Sequence, residues 1–146
     1  MRNLALAAAV LLAGLIACAS KPETPQVLVT QGSAEMKSVL QRTISDPGRR
    51  DKLIANADGL ESVLRGHAAD YRAFVDEYRK LNDSYDTSAA QVEALFARFE
   101  RKRQDSRARL LELHFQMIKL TSPQEWPPIA KAEGELLKST AEVPPQ

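Results

Sequence analysis

A chain of 146 residues suits one domain, and 5% aromatic with 27% charged residues suits a helical protein better than one built on sheets. The 20 basic and 19 acidic residues nearly balance, and Arg2 is the only charge before position 18, so nothing favours nucleic acid, whose counterions only an excess of positive charge displaces. A single cysteine excludes an internal disulfide.

Residues 1–17 read as a signal peptide. Arg2 supplies the positive start, Leu4 to Ile16 form an apolar run and small residues follow, while a run this short does not comfortably cross the ~30 Å of hydrocarbon in a bilayer. At its end, Leu15-Ile16-Ala17-Cys18 resembles the lipobox of bacterial lipoproteins. That resemblance implies cleavage before Cys18, a diacylglyceryl group on its thiol, and a membrane anchor in which each buried methylene contributes ~0.8 kcal/mol. Ala19, rather than an aspartate, follows the cysteine, which by the same resemblance implies the outer membrane, on its periplasmic side. The other reading is ordinary cleavage after Ala17-Cys18-Ala19, an A-x-A-like site that would discard the cysteine and release a soluble protein.

Residues 18–32 read as the lipidated cysteine and a flexible tether, because Lys21-Pro22-Glu23-Thr24-Pro25-Gln26 is polar and holds two prolines. An all-α domain is predicted over 33–139. Ser33 suits a helix N-cap, and Met36, Val39, Leu40 and Thr43 or Ile44 lie three and four apart, giving a short amphipathic helix against the base of the longer helices after it. Ser45-Asp46-Pro47 then starts a long helix, with Asp46 as cap and Pro47 at the first position, where its missing N–H would be unbonded anyway.

Apolar residues on this first arm recur in alternating steps of four and three: Leu53, Ala57, Leu60, Leu64, His67, Tyr71, Phe74, Tyr78, Leu81 and Tyr85. The second arm carries Val92, Phe96, Phe99, Arg103, Ser106, Leu110, Leu113, Met117 and Leu120 at the same spacing. Between them Asn82, Asp83, Ser84, Asp86, Thr87 and Ser88 are turn formers, and Ser88 with Gln91 makes a capping box. The pattern predicts a long antiparallel helical hairpin, coiled-coil-like, with short flanking helices and a length of roughly 50 Å. Partners across it are positions whose numbers add to about 173 or 174, from Leu53 with Leu120 to Leu81 with Val92.

In that register His67 opposes Ser106 and Tyr71 opposes Arg103, a polar layer inside an apolar seam. It reads either as a device that fixes register or as a pH-sensitive point for partner binding. Tyr71, Tyr78 and Tyr85 stand a heptad apart and so project along nearly one line, with Phe96 and Phe99 opposite Tyr78 and Phe74. The turn-proximal half is therefore expected to be an aromatic zipper with buried rings and hydroxyls at its edge. Gly59 and Gly66, seven apart, read either as a groove for another helix or as tolerated surface glycines.

The second arm ends at Leu120-Thr121-Ser122-Pro123-Gln124-Glu125, where both Thr121 with Gln124 and Ser122 with Glu125 fit a capping box. Pro127 and Pro128 interrupt that turn, so the last helix is placed from about Pro128 to Ser139, and 140–146 as a frayed tail. Leu120, Thr121 and Gln124 also form an L-T-x-x-Q pattern, which resembles the motif of periplasmic chaperones of the Spy and CpxP type. The resemblance implies a small helical envelope protein, associating as a dimer, that binds unfolded clients on an apolar face and contributes to envelope and metal-stress tolerance. The family carries two such motifs and this chain one.

No glycine-rich phosphate loop, no paired-histidine metal motif and no nucleophile elbow is present. His67 and His114 fall roughly seven residues apart along the hairpin, too far at ~1.5 Å per residue to share a metal. No catalytic residue, metal or cofactor is expected. The sequence reads as a membrane-anchored envelope lipoprotein that binds a partner or client protein through its hairpin, with room for a homodimer. A Spy-like chaperone and a passive spacer are the alternatives.

Overall fold

The computed structural model describes residues 25–138. The signal peptide, Cys18 and the tail at 140–146 lie outside the described residues. Within them the chain forms four α-helices: α1 (Pro25–Thr43), α2 (Pro47–Asn82), α3 (Ala89–Lys119) and α4 (Trp126–Lys138).

Helix α1 begins eight residues before Ser33, inside the stretch expected as tether. Ser33 is not its cap but a fully buried residue in mid-helix. The reason is tertiary. Val29, Ser33, Met36 and Leu40 make one stripe at steps of four, three and four, all at most 1% exposed, and packing that stripe outweighs a local composition that favours a tether. Proline is also well placed at a helix start, where its fixed φ suits the helix.

The caps of α2 and α3 follow local chemistry. Asp46 accepts from the Arg49 N–H at 2.6 Å with Pro47 at the helix start. Ser88 and Gln91 form the full capping box, with the Ser88 N–H donating to Gln91 Oε1 at 2.8 Å. Helix α4 starts at Trp126 rather than Pro128: the Trp126 N–H donates to the Ser122 carbonyl at 3.0 Å. Pro127 and Pro128 occupy the first turn, where a helix has no use for their N–H groups.

Helices α2 and α3 pack antiparallel. Glu77 pairs with Arg98 and Asp70 with Lys102, while a Cβ on Gly59 would stand 3.0 Å from Leu113 Cδ2. Helix α1 runs antiparallel to α2 in turn, with Lys37 on Asp58 and Glu61 and with Arg65 bonded to Thr30. Helix α4 lies against α1, so closely that a Cβ on Gly32 would be 3.2 Å from the Leu136 Cα. These four helices enclose a single core: Val29, Met36, Leu40 and Ile44 from the first chain segment, Leu53, Ala57, Leu60 and Leu64 from α2, Leu113 and Met117 from α3, and Ile129, Ala132 and Leu136 from α4.

The core stops part-way along α2. Thr30 is level with Arg65, so Pro25, five residues further, reaches about the level of Asp70 at ~1.5 Å per residue. Lys138, two residues past the Leu136 that meets Gly32, ends no higher. From there α2 continues to Asn82, about 18 Å more, and among the described residues only α3 lies beside it. No helix of the described residues is long and apolar enough to cross a membrane.

Candidate functional site

The heptad stripe of α2 changes environment where α1 and α4 end. Leu60 and Leu64 are buried, yet Tyr71 is 42% and Tyr78 41% exposed, and Tyr85 at the turn is wholly exposed. On α3, Met117 is buried while Phe96 is 49% exposed. The rings do meet where the register puts them. Phe74 stacks on Phe99 with centroids 4.5 Å apart, and Phe96 meets Phe74 and Tyr78 edge-on at 5.1 and 5.9 Å. The expectation of buried rings is corrected: beside each other alone, α2 and α3 close the seam from two sides and leave rings as large as these partly open, although the smaller Leu95 next to Phe96 is only 3% exposed. No tyrosine hydroxyl makes a hydrogen bond among the described residues. The result is an open aromatic face continuous with the core below it.

The polar layer does not form as placed. The exposed Arg103 turns to its own helix and forks onto Glu100, Nε to Oε2 at 2.9 Å and Nη2 to Oε1 at 3.1 Å. That guanidinium holds the Glu100 carboxyl below its ordinary value. Tyr71 and His67 lie instead beside Phe99, with centroids at 6.1 and 6.3 Å, and no hydrogen bond joins His67 to half-buried Ser106. A fully charged guanidinium at an open seam reaches a carboxylate one turn away and stays in water.

The residues of the L-T-x-x-Q pattern build a corner. Leu120 caps α3, and the Thr121 hydroxyl donates to the carbonyls of Met117 at 3.0 Å and Ile118 at 3.1 Å. Gln124 is exposed. Of the two overlapping capping boxes it is Ser122 and Glu125 that bond, the Ser122 N–H donating to Glu125 Oε2 at 2.8 Å. Glu125 is chosen because Arg49 holds it by a two-toothed pair at 2.9 and 3.0 Å. Arg49 and the Ser122 N–H lower its carboxyl from 4.5 to about 2. Arg49 also reaches the Leu120 carbonyl at 3.3 Å, tying the start of α2 to this corner.

Sequence reasoning missed three features. Glu133, only 4% exposed, stands on the buried side of α4 beside Ala132, and His114 Nδ1 lies 2.9 and 3.0 Å from its two oxygens. Trp126 meets the same imidazole edge-on at 5.4 Å. The signal was present: a carboxylate four residues after Ile129 and three before Leu136 lies on the apolar stripe and needs a partner. A second feature is Ser33, whose buried hydroxyl has no hydrogen bond in good geometry. Burial pushes the carboxyl of Glu61 up, but Ser33, Arg65 and Lys37 together hold it below its ordinary value. The third is a stripe at i, i+4 and i+7 on the outside of α3, where Leu111, Phe115 and Ile118 are 48%, 55% and 37% exposed.

Among the described residues no three His, Cys, Asp or Glu side chains gather into a metal-binding group. Comparison with protein-family models, with curated proteins and with solved structures finds no match for the chain.

Proposed function

We propose that this protein is a non-catalytic, membrane-anchored lipoprotein of the bacterial cell envelope that binds other proteins through its helical hairpin, with the open aromatic end of α2 and α3 as the binding face. The observation that carries the reading is that face itself: Tyr71, Tyr78 and Phe96 are between 41% and 49% exposed on the continuation of the core stripe. Clustered exposed aromatics mark binding surfaces, because rings give large contact area at little cost in side-chain entropy. Lipid on Cys18, toward the periplasmic side of the outer membrane, is the anchor that the lipobox resemblance supports.

Two measurements test the two halves of this reading. Metabolic labelling with a fatty acid is expected to mark the parent and not Cys18→Ser, and equal labelling of both removes the anchor. A photo-crosslinking residue at Phe96 in intact cells is expected to give protein adducts that the same residue at Ala108 does not. Absence of any adduct from Phe96 removes the binding face.

The open face also favours a second reading, a client-holding chaperone of the Spy and CpxP type. It requires the parent to suppress aggregation of an unfolded protein and Phe96→Asp to lose that activity with its fold intact. Equal suppression by both rules it out.

A further inference from the structure

We propose that the outer face of the base half of α3 docks on a lipid bilayer carrying anionic phospholipids, through Leu111, Phe115 and Ile118. This contact is separate from the lipid on Cys18, because here the folded domain itself meets the bilayer.

One line of side chains builds the face. Glu93, Glu100, Arg107, Leu111, Phe115 and Ile118 follow along α3 at steps of seven, four and three and so share one side of the helix. Leu113 and Met117, which enter the core, lie at least about 100° around the helix from the three apolar members. Those three are therefore exposed by 48%, 55% and 37%. Helix α4 adds Leu137, 38% exposed: Trp126 and Glu133 of α4 meet His114, and Leu137 lies four residues beyond Glu133 on that side. At roughly 200 Å² for each side chain the four expose about 350 Å², a patch size that often marks a functional surface.

Charge selects lipid as the occupant. From Arg107 to Lys119 the helix carries three cations, Arg107, Arg109 and Lys119, against one exposed acid, Glu112, and Arg109 holds that acid. The side chains of Arg107 and Lys119 bracket the apolar residues and make no hydrogen bond or ion pair among the described residues. Both can therefore take lipid phosphates. Apolar side chains flanked by cations suit a helix lying in a membrane interface, and each cation near an anionic surface strengthens the contact.

Reach agrees with charge, a step that rests on the reading of Cys18 as the anchor. Residues 18–24 are seven, so a lipid on Cys18 is held within about 25 Å of Pro25. Pro25 stands near the level of Asp70, which pairs across the hairpin with Lys102. Arg107 is five residues below Lys102, or about 8 Å. The bilayer that takes the anchor is thus close enough to meet the stripe.

The same line sets the tilt. Glu93 and Glu100 occupy it toward the turn, and carboxylates are excluded from the apolar layer and repelled by an anionic surface. Helix α3 therefore meets the bilayer at its base and rises from it toward the turn, which leaves the aromatic face in water for a protein partner.

The test uses the chain from residue 18 onward with Cys18→Ser, which keeps all four helices, and vesicles of phosphatidylethanolamine with phosphatidylglycerol. The parent is expected to sediment with these vesicles at low salt. Phe115→Asp and Arg107→Glu are each expected to weaken binding about tenfold or more, with helical content unchanged because both side chains are already exposed. Ser62→Asp, the same charge placed on the exposed side of α2, is expected to bind as the parent does. No binding by the parent, or equal binding by Phe115→Asp, overturns the inference. In the full chain in membranes, a nitroxide at Phe115→Cys is expected to respond more to oxygen dissolved in lipid than to a water-soluble nickel chelate, and one at Ser62→Cys to show the reverse. The same response at both positions overturns it, as does a photo-crosslinker at Phe115 that yields protein adducts and no lipid adducts. The vesicle result is independent of fatty-acid labelling at Cys18, so failure of the anchor and failure of the docking face are told apart.

Discussion

Two glycines, Gly32 on α1 and Gly66 on α2, give opposite answers to the same substitution, and the structure supplies both magnitudes. Alanine is favoured over glycine inside a helix by about 0.8–1.0 kcal/mol wherever the methyl group finds room. At Gly66 an added Cβ meets nothing within 4 Å. Gly66→Ala should therefore stabilise the fold by about that amount, raising the melting temperature by about 3 °C for a domain of this size. At Gly32 the same Cβ would sit 3.0 Å from Leu136 Cδ1 and 3.2 Å from the Leu136 Cα. A side-chain tip can swing away, but a backbone atom cannot, so α1 and α4 must part by a few tenths of an ångström along their contact. Overpacking of this kind costs about 1–3 kcal/mol, which offsets the propensity gain and leaves Gly32→Ala neutral to about 2 kcal/mol destabilising. Urea unfolding followed by circular dichroism measures the two variants under one set of conditions, and the expected gap between them is about 1–3 kcal/mol. Equal stabilisation by both would refute the close approach of α1 to α4. Destabilisation by Gly66→Ala would refute the open environment given to that side of α2.

Three further outcomes are expected. The Glu125 carboxyl is lowered from 4.5 to about 2 by Arg49 and Ser122, so its contribution to stability is complete above about pH 4.5 and fades as the pH falls from there to about 2. Arg49→Gln should be less stable at neutral pH and lose less across that window, which urea midpoints at a series of pH values will show. Glu133→Ala leaves His114 without its partner and opens space beside Ala132, for an expected loss of about 1–3 kcal/mol; an unchanged urea midpoint would mean that the pair is idle. Leu60→Ala, in the fully enclosed base, should cost about 2–5 kcal/mol. Tyr78→Ala in the isolated chain should cost clearly less, because 41% of that residue is already in water, and a larger loss at Tyr78 than at Leu60 would contradict the open face.

Much of the helical layout was legible in the sequence because it is encoded within a few residues. Asp46 and Ser88 each accept from an N–H three positions on, that of Arg49 and that of Gln91, and in this fold no distant contact overrides either cap. The heptad steps of the two arms likewise carried their register, and Phe74 on Phe99 and Phe96 on Tyr78 fall where numbers adding to 173 or 174 place them. The start of α1 was not legible. Pro25 to Gly32 has the composition of a tether, and only the cover that α2 and α4 give to Val29 makes it helix.

The candidate site divides along the same line. By itself the sequence determined that aromatic residues share one stripe, since a spacing of seven turns a helix through nearly two whole turns. Whether that stripe is core or surface depends on how many helices surround it. That number is set by the level at which α1 begins and α4 ends, about Arg65 to Asp70 on α2, and no local pattern in α2 or α3 contains it. The same reason governs the polar groups. Arg103 could have met Tyr71, but in an open seam Glu100 lies within reach and in water. Thr121 with Gln124 and Ser122 with Glu125 were equal as capping boxes until Arg49, 76 residues before Glu125, came to hold one of them. Short-range hydrogen bonding and helical period belong to the sequence; enclosure, and every choice of partner that depends on it, belongs to the tertiary structure.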